Sequence, residues 1–207
     1  MGNYGDNAPT YTGGETIEGG NIAYSNTIGG IEFGIGIGNG GADDANETSY
    51  GVAYSSSVNG ADVSLSYAAA SEGHENTAAA TTDASSSSMT VGVTVGSIGI
   101  DVAQNASKTT RFDDNASDTG YADMKSTNIG LSYTVTDSLT ITAASVAASG
   151  TITTNADYKY DEAAYGIDYT IASGVALSAG FSDWSQSGGG QTDVSGTGTK
   201  IRLKVSF

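Results

Sequence analysis

Side chains of opposite character alternate at period two through most of this 207-residue chain. Ile31, Phe33, Ile35 and Ile37 alternate with Glu32, Gly34 and Gly36, and Val63, Leu65 and Tyr67 with Asp62, Ser64 and Ser66. The pattern recurs at Met89–Val95, Ile98–Val102, Ile129–Val135, Tyr165–Ile171, Val175–Phe181 and Ile201–Phe207. Successive side chains of a strand point to opposite faces, so each run has one apolar face. Helical spacing occurs nowhere at comparable length. The alternation predicts an all-β chain of eleven strands, near 20–27, 31–38, 48–57, 62–70, 88–95, 98–106, 123–135, 139–148, 158–171, 175–184 and 196–207. Asn26 and Ser145 interrupt the apolar faces of two of them.

The links between these strands alternate in length. Short turns at 28–30, 58–61, 96–97, 136–138 and 172–174 separate long loops at 39–47, 71–87, 107–122, 149–157 and 185–195. Asn59-Gly60 supplies the positive φ values of a tight hairpin, and Gly29-Gly30 can do likewise. Short turns on one side and long loops on the other mark an antiparallel up-and-down transmembrane β-barrel, with turns in the periplasm and loops outside. Most of the strands reach the 9–11 residues a tilted strand needs to cross a bilayer. The face opposite the apolar residues carries mainly Gly, Ser, Thr, Ala and isolated charges, which suits a wet lumen better than a soluble exterior. Tyr54, Tyr133, Tyr169 and Phe207 would then form an aromatic girdle at the turn ends.

Composition narrows the function classes. Charged residues make up 14% of the chain, against roughly 25% in soluble domains. Twenty-three acidic against seven basic residues give a net charge of −16, which argues against nucleic-acid binding. With no cysteine, neither disulfides nor thiolate sites are available. No stretch of about 18 apolar residues provides a transmembrane helix, and the first residues do not form a secretory signal.

Signs of catalytic or cofactor chemistry are sparse. Gly36-x-Gly38-x-x-Gly41 matches the dinucleotide fingerprint, but Ala42 through Glu47 lead into another strand rather than a helix. His74, the single histidine, falls in a predicted loop beside Glu72 and Glu75. Asp113, Asp114 and Asp118 lack the regular spacing of a calcium loop. No enzymatic activity, cofactor or metal site is expected. Lys200, Arg202 and Lys204 form a basic ladder on the polar face of the last strand, while Glu32, Asp62, Asp101 and Asp168 share that inward parity. These seven are the pore-lining candidates; edge protection by charge is the simpler account of the ladder.

The terminal Lys200-Ile201-Arg202-Leu203-Lys204-Val205-Ser206-Phe207 resembles the closing strand of Gram-negative outer-membrane proteins, whose terminal aromatic serves as an insertion signal. Asn21 through Ile31 is similar to the strand and turn after the constriction loop of sixteen-stranded general diffusion porins, although Asn26-Thr27 stand where that family has Ser-Pro. The resemblance implies a channel for passive diffusion of small hydrophilic solutes and ions, integral to the outer membrane and a homotrimer when full length. It makes Phe207 the insertion signal. Residues 1–20 become the tail of the constriction loop, with Asp6, Glu15 and Glu18 as its acids. Eleven strands would put the first and last in the same direction, so an odd number is expected to precede them, and five would complete sixteen. Met1 is then a start within a longer protein, and 1–207 one barrel region. A soluble surface β-protein such as an adhesin, or an enzymatic barrel, are the alternatives.

Overall fold

The computed structural model describes residues 21–39, 45–74, 80–113, 120–152, 156–189 and 192–206. They form eleven strands: β1 (Asn21–Ile28), β2 (Ile31–Asn39), β3 (Ala45–Val58), β4 (Ala61–His74), β5 (Ala80–Val95), β6 (Ile98–Asp113), β7 (Gly120–Thr136), β8 (Leu139–Ile152), β9 (Ala156–Ala172), β10 (Val175–Gly188) and β11 (Val194–Val205). Each pairs antiparallel with the next in a single sheet ordered β1 to β11. The two edges, β1 and β11, therefore run in the same direction.

The turn at 96–97 has its expected two residues, and the other four predicted turns tighten to two. Asn59 and Gly60 take φ of 52° and 81°, and Gly29 and Gly30 take 60° and 83°, the left-handed pairs that match the twist of flanking strands. At the other end the strands outrun the sequence reading. Much of 71–87 and 107–122, expected as loop, is strand, because β4, β5 and β6 continue to His74, from Ala80 and to Asp113. Apolar alternation ends where the apolar belt ends, but backbone pairing does not depend on it. Sixteen residues of β5 span roughly 50 Å, or about 38 Å of height at a 40° tilt, more than a hydrocarbon core of about 30 Å.

The distribution of side chains is inverted relative to a packed domain. Ile35, Val52, Leu65, Val91, Ile100, Leu131, Ile167 and Leu203 are all exposed, and they share one face through successive registers such as Leu65↔Val91 and Ile100↔Leu131. The described residues that are buried are Gly34, Gly38, Ser88, Gly92, Gly99, Ala164 and Gly166, every one on the opposite, polar face. Only small residues are enclosed there, as expected on the concave side of a curved sheet, where side chains converge. No large side chain is fully buried among the described residues. Asn26, on the apolar face, donates from Nδ2 to the Tyr24 hydroxyl at 2.8 Å, which satisfies its polar group locally.

Candidate functional site: the concave polar wall

Strand parity carries Lys200, Arg202 and Lys204 onto the polar face, opposite Gly180, Ser178 and Ala176 of β10. Those neighbours are small, so the three basic side chains stand exposed above the wall. Ser178 also faces Asp168 of β9 and donates from its hydroxyl to Asp168 Oδ1 at 2.5 Å. Arg202, Ser178 and Asp168 thus share one row, with Arg202 and Asp168 two strand spacings, about 10 Å, apart.

The other predicted acids occupy the same face. Asp62 accepts a hydrogen bond from the Ser57 hydroxyl, its cross-strand partner. Asp101 sits between Gly92 and Gly130. A Cβ on Gly92 would lie 2.5 Å from both Asp101 Oδ1 and Ser64 Oγ, so these groups lean over the glycine from either side. Glu32 faces Thr27 and Ala53. All seven predicted lining residues are exposed and share one face. Asp6, Glu15, Glu18 and Phe207 lie outside the described residues.

Sequence reasoning missed two further groups on this wall. On β5 to β7, Ser88 Oγ, Thr90 Oγ1, Asn105 Oδ1 and Asn128 Oδ1 are buried without a hydrogen-bond partner, while Asn105 Nδ2 donates to Ser126 Oγ at 3.2 Å. Buried polar oxygens of this kind are ordinarily satisfied by water. On β9 to β11, Trp184 faces Glu162 on one side and Gly196 on the other. Tyr160 stacks against Trp184 with ring centroids 6.4 Å apart and planes 21° apart, and its hydroxyl donates to Glu162 Oε2 at 2.8 Å. Tyr158, Tyr160 and Trp184 all carry the parity of the polar face, together with Met124 and Val146, and nothing in their spacing singles out Tyr160 and Trp184 as a stacked pair.

Gly36 and Gly38 lie within β2, whose strand continues to Asn39, and Gly41 lies outside the described residues. His74 ends β4 and Asp113 ends β6 rather than standing in loops, while Asp114 and Asp118 lie outside the described residues. Among the described residues no group of three or more His, Cys, Asp or Glu could hold a metal ion.

No protein-family model and no curated protein sequence matches the chain. Solved structures do. The chain is similar to the anion-selective porin of Comamonas acidovorans, with a TM-score of 0.69 and 18% identity over 90% of this chain and 59% of that one. OccAB4 of Acinetobacter baumannii gives a TM-score of 0.68 and 12% identity over 89% and 51%. OmpT, an outer-membrane protein of Vibrio cholerae in a loop-deletion form, gives 0.66 and 16% over 89% and 62%. The chain spans less than two thirds of each. At these identities the likeness establishes the fold: eleven antiparallel up-and-down strands that follow the wall of an outer-membrane β-barrel of porin type.

Proposed function

We propose that this chain forms part of an outer-membrane porin whose polar face lines a water-filled channel for small hydrophilic solutes and ions. The observation that carries this reading is the inverted burial: large apolar side chains exposed on the convex face, small residues enclosed on the concave one. In water such a face would aggregate, since monomeric soluble proteins rarely expose contiguous apolar patches above a few hundred Å². In a bilayer it is the lipid-facing belt, with Tyr54, Tyr133 and Tyr169 beside the periplasmic turns. Passive conduction through a polar lumen needs no catalytic group, and the chain acts as a pore rather than an enzyme.

The complete pore, on this reading, has sixteen strands in a sixteen-stranded general diffusion porin, assembles as a homotrimer, and places residues 1–20 in its constriction loop. The identical direction of β1 and β11 supports an odd number of further strands, because neighbours in such barrels alternate. Lys200, Arg202 and Lys204 face the lumen together with Glu32, Asp62, Asp101 and Asp168. Acidic residues toward the loop ends, including Asp43, Asp44, Glu72, Glu75, Asp113, Asp114 and Asp193, outnumber Lys108 and Arg111 there. Charge at a pore mouth concentrates counterions, so the pore has a mild cation preference, strongest at low salt.

The test is the zero-current potential of single pores across a salt gradient, before and after Lys200, Arg202 and Lys204 are changed together to Gln. Increased cation preference supports the assignment. An unchanged potential places the ladder outside the conducting path, and absence of conductance from the complete wild-type protein refutes the channel.

A further inference from the structure

Three features of the polar face converge near the loop end of β9 to β11. The first is the orientation of Trp184. Its consecutive atoms Cζ2, Cε2 and Nε1 lie 3.0–3.2 Å from where a Cβ on Gly196 would stand, so the indole lies flat over that glycine. The second is Tyr160, whose ring is tilted only 21° to the indole with centroids 6.4 Å apart. Near-parallel rings at that separation are offset rather than face to face, and both residues stand half-buried on the polar face. The third is a carboxylate at the rim. Glu162 is the cross-strand partner of Trp184 and accepts the Tyr160 hydroxyl at 2.8 Å, which fixes the phenol and holds a negative charge beside both rings.

Two electron-rich faces beside a full negative charge form a recognition element for a desolvatable cation. A cation within about 6 Å of an indole or phenol centroid is attracted by the ring quadrupole, and a weakly hydrated organic cation gives up its water most readily. The nearest basic side chain on this face, among the described residues, is Lys200, four residues along β11 from Gly196 and so about 13 Å away. Anions meet repulsion from Glu162, and neutral sugars gain stacking but no charge pairing.

We propose that Trp184, Tyr160 and Glu162 form a binding subsite for organic cations, solutes bearing a guanidinium or alkylammonium group, on the channel wall below the outer mouth. The proposal rests on the reading that the polar face lines the lumen. Each ring strengthens binding roughly two- to fivefold at a partly exposed site, and the half-buried carboxylate adds a comparable factor. The resulting weak site suits a channel, where a solute must bind well enough to enter and loosely enough to leave.

The experiment uses the complete pore in planar bilayers, with choline chloride added on the loop side and current fluctuations analysed for transient block. Its uncharged isostere 3,3-dimethylbutanol and the neutral sugar maltose serve as comparisons. Expected is block by choline but by neither neutral solute, weakened roughly two- to fivefold by Trp184→Ala and by Glu162→Gln and largely retained by Trp184→Phe. Heat-modifiable electrophoretic mobility verifies that each variant folds. Trp184 is the single tryptophan of this chain, so the fluorescence difference between wild type and Trp184→Phe gives a second readout of choline binding. Equal block by the isostere or by maltose overturns the cation assignment, as does choline block unaffected by both Trp184→Ala and Glu162→Gln. A pore that conducts normally without any choline response refutes the subsite alone. A protein that never conducts refutes the channel reading beneath it.

Discussion

Replacing Leu131 by Arg separates a lipid-facing belt from an ordinary exposed surface. Leu131 is 47% exposed and lies opposite Ile100 and Ala143 on the convex face. It stands five residues before the end of β7 at Thr136, about 13 Å along the barrel axis at a 40° tilt, or half of an apolar band about 25 Å tall. At that depth an arginine costs about 2–4 kcal/mol, which lowers the folding equilibrium constant roughly 30- to 800-fold. On a water-exposed surface the same change stays within about 0.5 kcal/mol. Ser132 supplies the internal control. It occupies the same height on the polar face, and its hydroxyl sits 2.5 Å from where a Cβ on Gly99 would be, over a neighbour with no side chain. Ser132→Arg should therefore cost less than about 1 kcal/mol, because its guanidinium reaches lumen water. The assay is reversible urea unfolding of the refolded protein in lipid vesicles, followed by tryptophan emission and heat-modifiable mobility. Equal costs at the two positions, or a Leu131→Arg cost under about 0.5 kcal/mol, would refute the assignment of faces.

Three other outcomes are expected. Deleting Phe207, or replacing it with a polar residue, should impair assembly of the full-length protein in the outer membrane; normal heat-modifiable barrel in the mutant contradicts its role as an insertion signal. Gly150→Ala should destabilise the β7–β8 pair at its loop end by about 1–3 kcal/mol, because a Cβ there overlaps the Asp123 carbonyl and lies 2.8 Å from Met124 Cα; unchanged urea stability and protease resistance would count against this packing. The cation preference should shrink when reversal potentials are measured at about 1 M rather than 0.1 M salt, as the Debye length falls from about 10 Å to 3 Å, and a salt-independent value would argue against charged loop mouths as its source.

The fold was legible where chemistry forces alternation. Ile98, Ile100 and Val102 had to share a face, and once Asn59-Gly60 set a two-residue turn, the register from Val58↔Ala61 onward followed. Strand length was hidden where both faces meet water. The Ser85–Ser88 run has no apolar parity, yet it pairs from Ser71↔Ser85 to Ser88↔Asn105 because backbone groups must find partners whatever the side chains. The placement of the basic residues on the polar face was visible in the same way as the strands, since Lys200, Arg202 and Lys204 alternate with Ile201 and Leu203. The aromatic tile was not, because Tyr160 and Trp184 lie 24 positions apart and become neighbours only diagonally across the β9–β10 register. The paired serines and asparagines of β5 to β7 were equally silent, being unremarkable until their burial is known.

Because, among the described residues, small ones alone are enclosed on the concave side, the wall has no interior of interlocked large side chains, and its two faces can vary separately. Odd and even positions of a strand such as β9 belong to different faces: Tyr165, Ile167 and Tyr169 to the apolar one, Glu162, Asp168 and their neighbours to the polar one. On the channel reading proposed above, a lineage of such chains can rewrite its traffic rules at alternate letters while leaving the other half of the text untouched. The same independence lets sequences drift far apart, as the 12–18% identities to structures of matching shape illustrate.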